Sequence, residues 1–277
     1  MRGMRVLMWL SLAGALGLGT AVASGEALSI YDLQYTTSAD GGSPYEGSTV
    51  DCAGGIVTFK WAGGKKRLYL QDPTRPEWAA VMVKDWTADE LWANVSVGDE
   101  LALTGVYVEE SSGNTTLRYD AASGYTVLST GNPLPAPVVV TADQIAAPTE
   151  GPPGEWYVAD RSAEKYEHML LTVENVTVAA TGLGKAVDNY ELAGAAGSCW
   201  AADYMNDTVG VNGYHPYVSP GASFESLSGV FEQYTKLSSG WDYYQLVTRS
   251  TDDLVVPAPA PAALLLAGGA LLMRRRR

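Results

Sequence analysis

A set of landmarks that occurs twice constrains this 277-residue chain more than any other feature. Ser29-Ile30-Tyr31-Asp32-Leu33 and Thr141-Ala142-Asp143-Gln144-Ile145 each place a hydroxyl three residues before a side chain that can return its hydrogen bond, the pattern that opens a short helix. Tyr45-Glu46 recurs as Tyr166-Glu167, Gly98-Asp99 as Gly221-Ala222, and Gly105-Val106-Tyr107 as Gly229-Val230-Phe231. The offsets are 112, 121, 123 and 124 residues, and they grow in order, as they do when a second copy carries loop insertions. The expected units are residues 28–130 and 141–256. Between them lies 131–140, a stiff linker rich in proline at Pro133, Pro135 and Pro137.

The first copy reads strand by strand. Thr49 to Lys60 alternates as one long strand interrupted by Gly54-Gly55, and a glycine pair inside a strand marks a bend or bulge. The chain then turns through Gly63-Gly64 into Arg67 to Gln71, with Leu68 and Leu70 on one face and Tyr69 on the other. Trp78 to Val83 is the third strand, and Thr87 to Asn94 a short helix capped by Thr87 with Glu90 as partner. Asp99 to Glu109 is the fourth, and Thr115 to Tyr119 or Tyr125 to Leu128 the fifth. The second copy repeats the plan at Met169 to Ala180, Tyr190 to Leu192, Cys199 to Tyr204, Ser223 to Thr235 and Tyr243 to Thr248. Its loop from Asn206 to Ser219 stands where the first copy has a helix, and Pro148 to Gly154 reads as a further inserted loop. A bent first strand can serve both sides of a closed sheet. The predicted fold class is therefore all-β, two tandem OB-like five-stranded barrels, with a β-sandwich as the alternative.

The ends carry different signals. Arg2 and Arg5 precede an apolar stretch from Val6 to Ala23 that closes on Ala21-Val22-Ala23, a secretory signal peptide expected over residues 1–23. At the far end Val256-Pro257-Ala258-Pro259 leads into an apolar run, Pro261 to Met273, and then Arg274, Arg275, Arg276 and Arg277. As a helix that run spans roughly 20 Å, short of the ~30 Å hydrocarbon core, so it holds a chain in a bilayer only by thinning it or tilting. The arginines stay cytoplasmic and the bulk of the chain lies outside. Pro-x-Pro, apolar run and arginine block at residues 257–277 resemble the PEP-CTERM sorting signal of bacterial surface proteins, with Ala258 where that family has Glu. The resemblance implies an exosortase-type processing enzyme as partner, transient membrane anchoring, and a location at the cell envelope or extracellular surface.

Between the ends the charge is strongly acidic. Six of the 18 basic residues are Arg2, Arg5 and Arg274 to Arg277; the remaining 12 face 31 acidic residues, 12 − 31 = −19. Such a surface repels nucleic acid at long range and favours solubility. One local feature runs against it. Lys60, Trp61, Lys65, Lys66 and Arg67 crowd the first hairpin, and Tyr69 follows, a cationic and aromatic set of the kind that grips extended polymers, with Trp78 or Trp86 nearby. These six are the candidate ligand-binding residues, beside the bland reading of a solvated hairpin.

No catalytic constellation is legible. His168 and His215 have no Cys or His neighbour at ligand spacing, and no nucleophile elbow or phosphate loop occurs. Asp203, Asn206 and Asp207 could share a calcium ion but lack the Asp-x-Asp-x-Asp-Gly spacing, so no metal or cofactor is expected. Cys52 and Cys199 fall one in each copy and read as buried free thiols, with a cross-repeat disulfide as the alternative. Gly47 through Leu70-Gln71-Asp72-Pro73, then Val97-Gly98-Asp99 and Leu103-Thr104-Gly105, is similar to the OB-like domains that accompany extracellular bacterial nucleases. In those enzymes the domain is an accessory and the chemistry sits elsewhere. The expected function is thus that of an exported, envelope-associated, non-catalytic binding or matrix protein. Its partner would be an extracellular polysaccharide or a surface protein; nucleic acid is the alternative, disfavoured by charge.

Overall fold

The computed structural model describes residues 26–158, 161–184, 188–209 and 213–258. The predicted signal peptide, the sorting helix and Pro259 to Arg277 lie outside them; Val256, Pro257 and Ala258 follow the last strand in no regular element.

The first unit opens with Leu28 bridged in parallel to Cys52, and with α1 (Ile30–Gln34), closed by reciprocal bonds between Ser29 and Asp32. Five strands then make a ring: β1 (Thr49–Trp61), β2 (Arg67–Gln71), β3 (Ala80–Asp85), β4 (Glu100–Ser111) and β5 (Asn114–Tyr119). Their hydrogen-bonded order is β1-β2-β3-β5-β4, and β4 pairs back onto β1. Closure leaves the ring no free edge. The glycine pair makes it possible. The register of β1 on β4 slips between Cys52 and Gly55, where Gly54 has φ 86° and a Cβ would lie 1.5 Å from the Leu101 carbonyl oxygen. Only glycine fits there, and the bulge turns one strand around the barrel's corner. Leu68, Leu70, Val81, Val83, Leu101 and Leu117 fill the interior. A sixth strand, β6 (Gly124–Ser129), lies on β4 outside the ring, so both stretches considered for a fifth strand are strands, and the earlier one closes the barrel.

The second unit repeats this circuit. Its elements are β7 (Val138–Val140), a capped 3-10 turn at Ala142–Ile145, and a hairpin of β8 (Thr149–Glu150) and β9 (Trp156–Tyr157). The ring is β10 (Leu170–Leu183), β11 (Asn189–Ala193), β12 (Ser198–Ala202), β13 (Ser223–Lys236) and β14 (Trp241–Val247). The order is β10-β11-β12-β14-β13, with β13 back on β10, and β15 (Leu254–Val255) lies on β13 as β6 lies on β4. Each unit is thus a five-stranded circuit with the strand order expected of an OB barrel.

The duplication extends to single hydrogen bonds. Gly98 N–H donates to Val57 O at 2.9 Å while Val57 N–H donates to Asp99 O at 2.8 Å; Gly221, Val178 and Ala222 make the same pair, both at 2.8 Å. Both cysteines are free and buried.

Three local expectations need correction. The third strand begins at Ala80 and not at Trp78, whose φ of 55° breaks the extended chain. The helix is shorter than Thr87 to Asn94. It is α2 (Glu90–Asn94), because Asp89 is left-handed at φ 68°, though the Thr87 hydroxyl does accept the Glu90 N–H at 2.9 Å. The end of the linker is not linker: β7 pairs in parallel with β10, and the Pro148 to Gly154 loop is built into the β8–β9 hairpin, which pairs onto β14.

The linker is not what holds the barrels together. Tyr69, Met82, Leu170, Tyr204, Met205, Val230 and Val247 form a core of their own between the rings, with Phe59 and Trp61 packed against it. Backbone groups are matched across it. Thr235 N–H donates to Ser112 O at 2.7 Å, Trp78 N–H to Lys165 O at 2.6 Å, and the Asn114 side chain bonds both the carbonyl and the N–H of Gln233. The β4–β5 turn approaches closely because Gly113 has no Cβ: one would lie 2.4 Å from Thr235 Oγ1.

A cleft between the barrels as candidate binding site

An OB barrel binds ligands on the outer face of its second and third strands, between the first hairpin and the β4–β5 loop. In the first barrel that face carries Arg67 and Tyr69 on β2, Met82 and Lys84 on β3. Strand alternation sends Leu68 and Leu70 into the core, so Tyr69 must point out. Here outward means toward the second barrel. What remains open is a cleft of about 250 Å³, walled by Trp61, Arg67, Lys84 and Asn114 on one side and by Tyr204, Glu232, Gln233, Tyr234 and Gln245 on the other.

Glu232 organises the cleft floor. Its carboxylate is buried and accepts hydrogen bonds from Tyr69 Oη at 2.5 Å and from the Tyr204 hydroxyl, and Arg67 Nη1 lies 3.4 Å away. Burial, and then the carboxylate beside them, hold both phenols well above their ordinary pKa, so they stay protonated donors. Burial alone would lower Arg67, but the Tyr69–Glu232 pair more than offsets it and keeps the guanidinium charged. The same guanidinium stacks on Trp61, 4.6 Å from the ring centre, and Trp61 meets Tyr204 edge-on at 5.4 Å. Two buried polar atoms along the cleft have no protein partner: Arg67 Nε, a donor, and Gln233 Oε1, an acceptor.

The structure divides the six residues singled out from the sequence. Lys60 does not reach out: its ammonium donates to the Trp92 and Val95 carbonyls, each at 2.5 Å, and sits over the Trp92 ring. Lys66 pairs with Asp89 at 2.7 Å and also lies over Trp92; Lys65 lies over Trp86. These lysines clip the hairpin to the α2 segment. Trp61 and Arg67 turn into the cleft. Tyr69, expected beside them as part of a polymer-gripping aromatic set, is fully buried and offers a ligand no ring face. Trp78 is half-buried at an edge, against Tyr35. The second wall was not read from the sequence. The signal was there in β13, where Glu232 interrupts the apolar alternation beside Val230 and Tyr234, and an outward Glu in a buried strand calls for partners.

The remaining polar candidates are committed to structure. Asp203 accepts from Tyr190 Oη, Thr248 Oγ1 and the His215 backbone N–H, at 2.9, 2.7 and 2.8 Å. His168 is buried at the junction with φ 63°, in the place where the first copy has Gly47, and its Nε2 lies 3.2 Å from the Thr115 carbonyl. A carbonyl only accepts, so the proton is on Nε2; Nδ1 is buried without a partner. Burial draws this imidazole down to about 3, and it is neutral at physiological pH.

No family model matches the chain, and no curated relative does. Among solved structures it is similar to the Pot1 (protection of telomere)–ssDNA complex, at 18% identity over 40% of this chain and 74% of that one, TM-score 0.29. A murine DNA binding protein bound with ds DNA aligns over 72% and 93% at 7% identity, TM-score 0.34. A replication protein A heterotrimer bound to ssDNA aligns over 73% and 65% at 11% identity, TM-score 0.24. The barrel assignment rests on this chain's own strand order and register.

Proposed function

We propose that this chain is an exported, envelope-associated, non-catalytic binding protein, which takes part of an extended polymer or of a partner protein into the inter-barrel cleft. The observation that carries the reading is the cleft itself, on the face an OB barrel uses for ligands, with an aromatic flank at Trp61, Tyr204 and Tyr234 and polar side chains on both walls. The non-catalytic part is supported by Glu232. Its carboxylate is surrounded by two phenols and a guanidinium, which leaves it poorly placed to take a substrate proton. Export and sorting rest on the end segments of the sequence.

Nucleic acid is the second reading, favoured by Arg67 and Lys84 beside the aromatic flank. It is weakened by the hairpin lysines, which already sit on indole faces, and by the −19 balance. The test is a glycan, oligonucleotide and peptide array probed with the chain, followed by Tyr234→Ala and Gln245→Ala. Binding that falls about tenfold in both variants is the expected result. Binding indifferent to both would remove the cleft from the account, and reproducible turnover on a hydrolase panel would remove the non-catalytic reading.

A further inference from the structure

A second concavity lies away from the cleft, where the chain leaves α1 and loops back to β1. It is an open groove of about 650 Å³ lined by Tyr31, Tyr35, Thr37, Ser43, Tyr45 and Glu46, among others. Its floor is pinned. Ser43 Oγ donates to the Leu33 carbonyl at 2.6 Å, Ser43 N–H to Glu110 Oε1 at 2.9 Å, and the loop at Gly41 packs so closely on Glu164 that a Cβ would meet the carboxyl at 2.7 Å. A groove held by hydrogen bonds to one barrel and by close packing on the other is preformed, and ordering it on binding costs little.

Its chemistry differs from that of the cleft. Tyr31 and Tyr35 stack with centres 5.2 Å apart, Arg75 lies over Tyr31, and Tyr35, a lining residue, is 44% exposed. No lysine or arginine is among the lining residues. Two of the carboxylates there are already engaged, Asp32 by Ser29 and Asp40 by the Ser38 hydroxyl and the Gly42 N–H. The hydroxyls of Tyr31, Tyr35, Tyr45 and Thr37 and the Glu46 carboxylate make no hydrogen bond among the described residues, so these are the groups a ligand would meet.

We propose that this groove is a binding site for an uncharged polysaccharide, with Tyr35 as the stacking platform and Thr37, Tyr45 and Glu46 as hydrogen-bonding partners. A pyranose ring offers an apolar C–H face to an aromatic ring, and hydroxyls that both donate and accept. Phenols and a threonine answer both needs, and a carboxylate takes the donors. A polyanion is disfavoured by three lining carboxylates against one cation beside them, Arg75 over Tyr31. A cationic peptide would find only one carboxylate not already bonded within the protein.

The test uses the full chain with cellohexaose, laminarihexaose and chitohexaose in calorimetric titration, and polygalacturonate and oligolysine as charged controls. At least one neutral hexasaccharide is expected to bind, about tenfold more weakly in Tyr35→Ala. Glu46→Gln is expected to weaken it less, and neither Tyr234→Ala in the cleft nor added salt to change it. Tyr35 is exposed, so its removal leaves the barrel core intact, and thermal melting checks this. No neutral binding, neutral binding that survives Tyr35→Ala, or preference for either charged control would each overturn the proposal. Neutral binding lost in Tyr234→Ala alone would assign the sugar to the cleft instead.

Discussion

The architecture turns on a few atoms. Gly54 is one case. Any side chain there meets the Leu101 carbonyl oxygen at 1.5 Å in a backbone already left-handed, so both space and conformation forbid it. Gly54→Ala is expected to cost about 3 kcal/mol or more, since the only relief is to unpair β1 from β4 at the corner. Urea denaturation followed by tryptophan fluorescence measures it, and a loss below about 1 kcal/mol would mean the strand bends by another route. Glu232 is a second case. It is buried, accepts from two phenols and faces Arg67, whose side chain is mostly buried. Glu232→Gln keeps the shape but leaves the guanidinium without a counter-charge, and an expected loss of about 2–4 kcal/mol follows from breaking a buried pair on one side. The same denaturation series reads it, with Tyr204→Phe expected to cost about 1 kcal/mol as a single lost hydrogen bond.

At the scale of elements, the first hairpin shows how far a sequence reading goes. Its cationic and aromatic residues were legible as a set, but their direction was not. Lys60 holds the two carbonyls at the end of α2, which no other described group bonds in its place, whereas Lys66 makes a half-exposed ion pair and a ring contact. Lys60→Met is therefore expected to destabilise by about 1–2 kcal/mol and Lys66→Met by under about 1 kcal/mol. Hydrogen exchange across residues 62–66 and 90–95 should rise in the first variant more than in the second. Strand order was legible because Gly54-Gly55, Gly98-Asp99 and Gly221-Ala222 punctuate it, and punctuation is local. The cleft was not. Tyr69 and Glu232 stand 163 residues apart. Period-two alternation says only that Tyr69 leaves its own core; whether it then meets water or another barrel is set by a surface encoded elsewhere. Trp78 and Asp89 made their elements start later than the pattern predicts, because left-handed backbone in a non-glycine residue leaves no mark in the alternation.

At the scale of the molecule, the barrels share a core and a buried polar junction, so they should unfold together and carry one pH dependence. Folding raises Glu167 well above its ordinary 4.5, by burial first and then by Glu164 and Glu110; burial likewise lifts Glu164 to about 7. His168 moves the other way, from 6.5 to about 3, again through burial. Gln34, the Thr115 N–H and His168 face the Glu167 carboxyl. With the acid protonated and the imidazole neutral, that pair is a contact between uncharged groups. An acid whose pKa is raised by folding keeps its proton in the barrel while the unfolded chain ionises above 4.5, so rising pH favours unfolding. For His168 the unfolded chain takes a proton below 6.5 and the fold does not, so falling pH favours unfolding. The two effects oppose each other from about 4.5 to 6.5. Above that only the acids act, Glu164 up to about 7 and Glu167 beyond it. With two acids against one imidazole, stability is thus expected to be highest near pH 4.5 and to fall from there toward pH 8, by up to about 1.4 kcal/mol per unit for each uncompensated proton still held. Glu167→Gln keeps the shape and removes the proton, and should flatten the curve above pH 7. Urea midpoints of both proteins at half-unit steps from pH 5 to 8 decide it; a wild-type midpoint constant from pH 6.5 to 8 would mean that Glu167 is ionised in the fold and that the junction is held by charge.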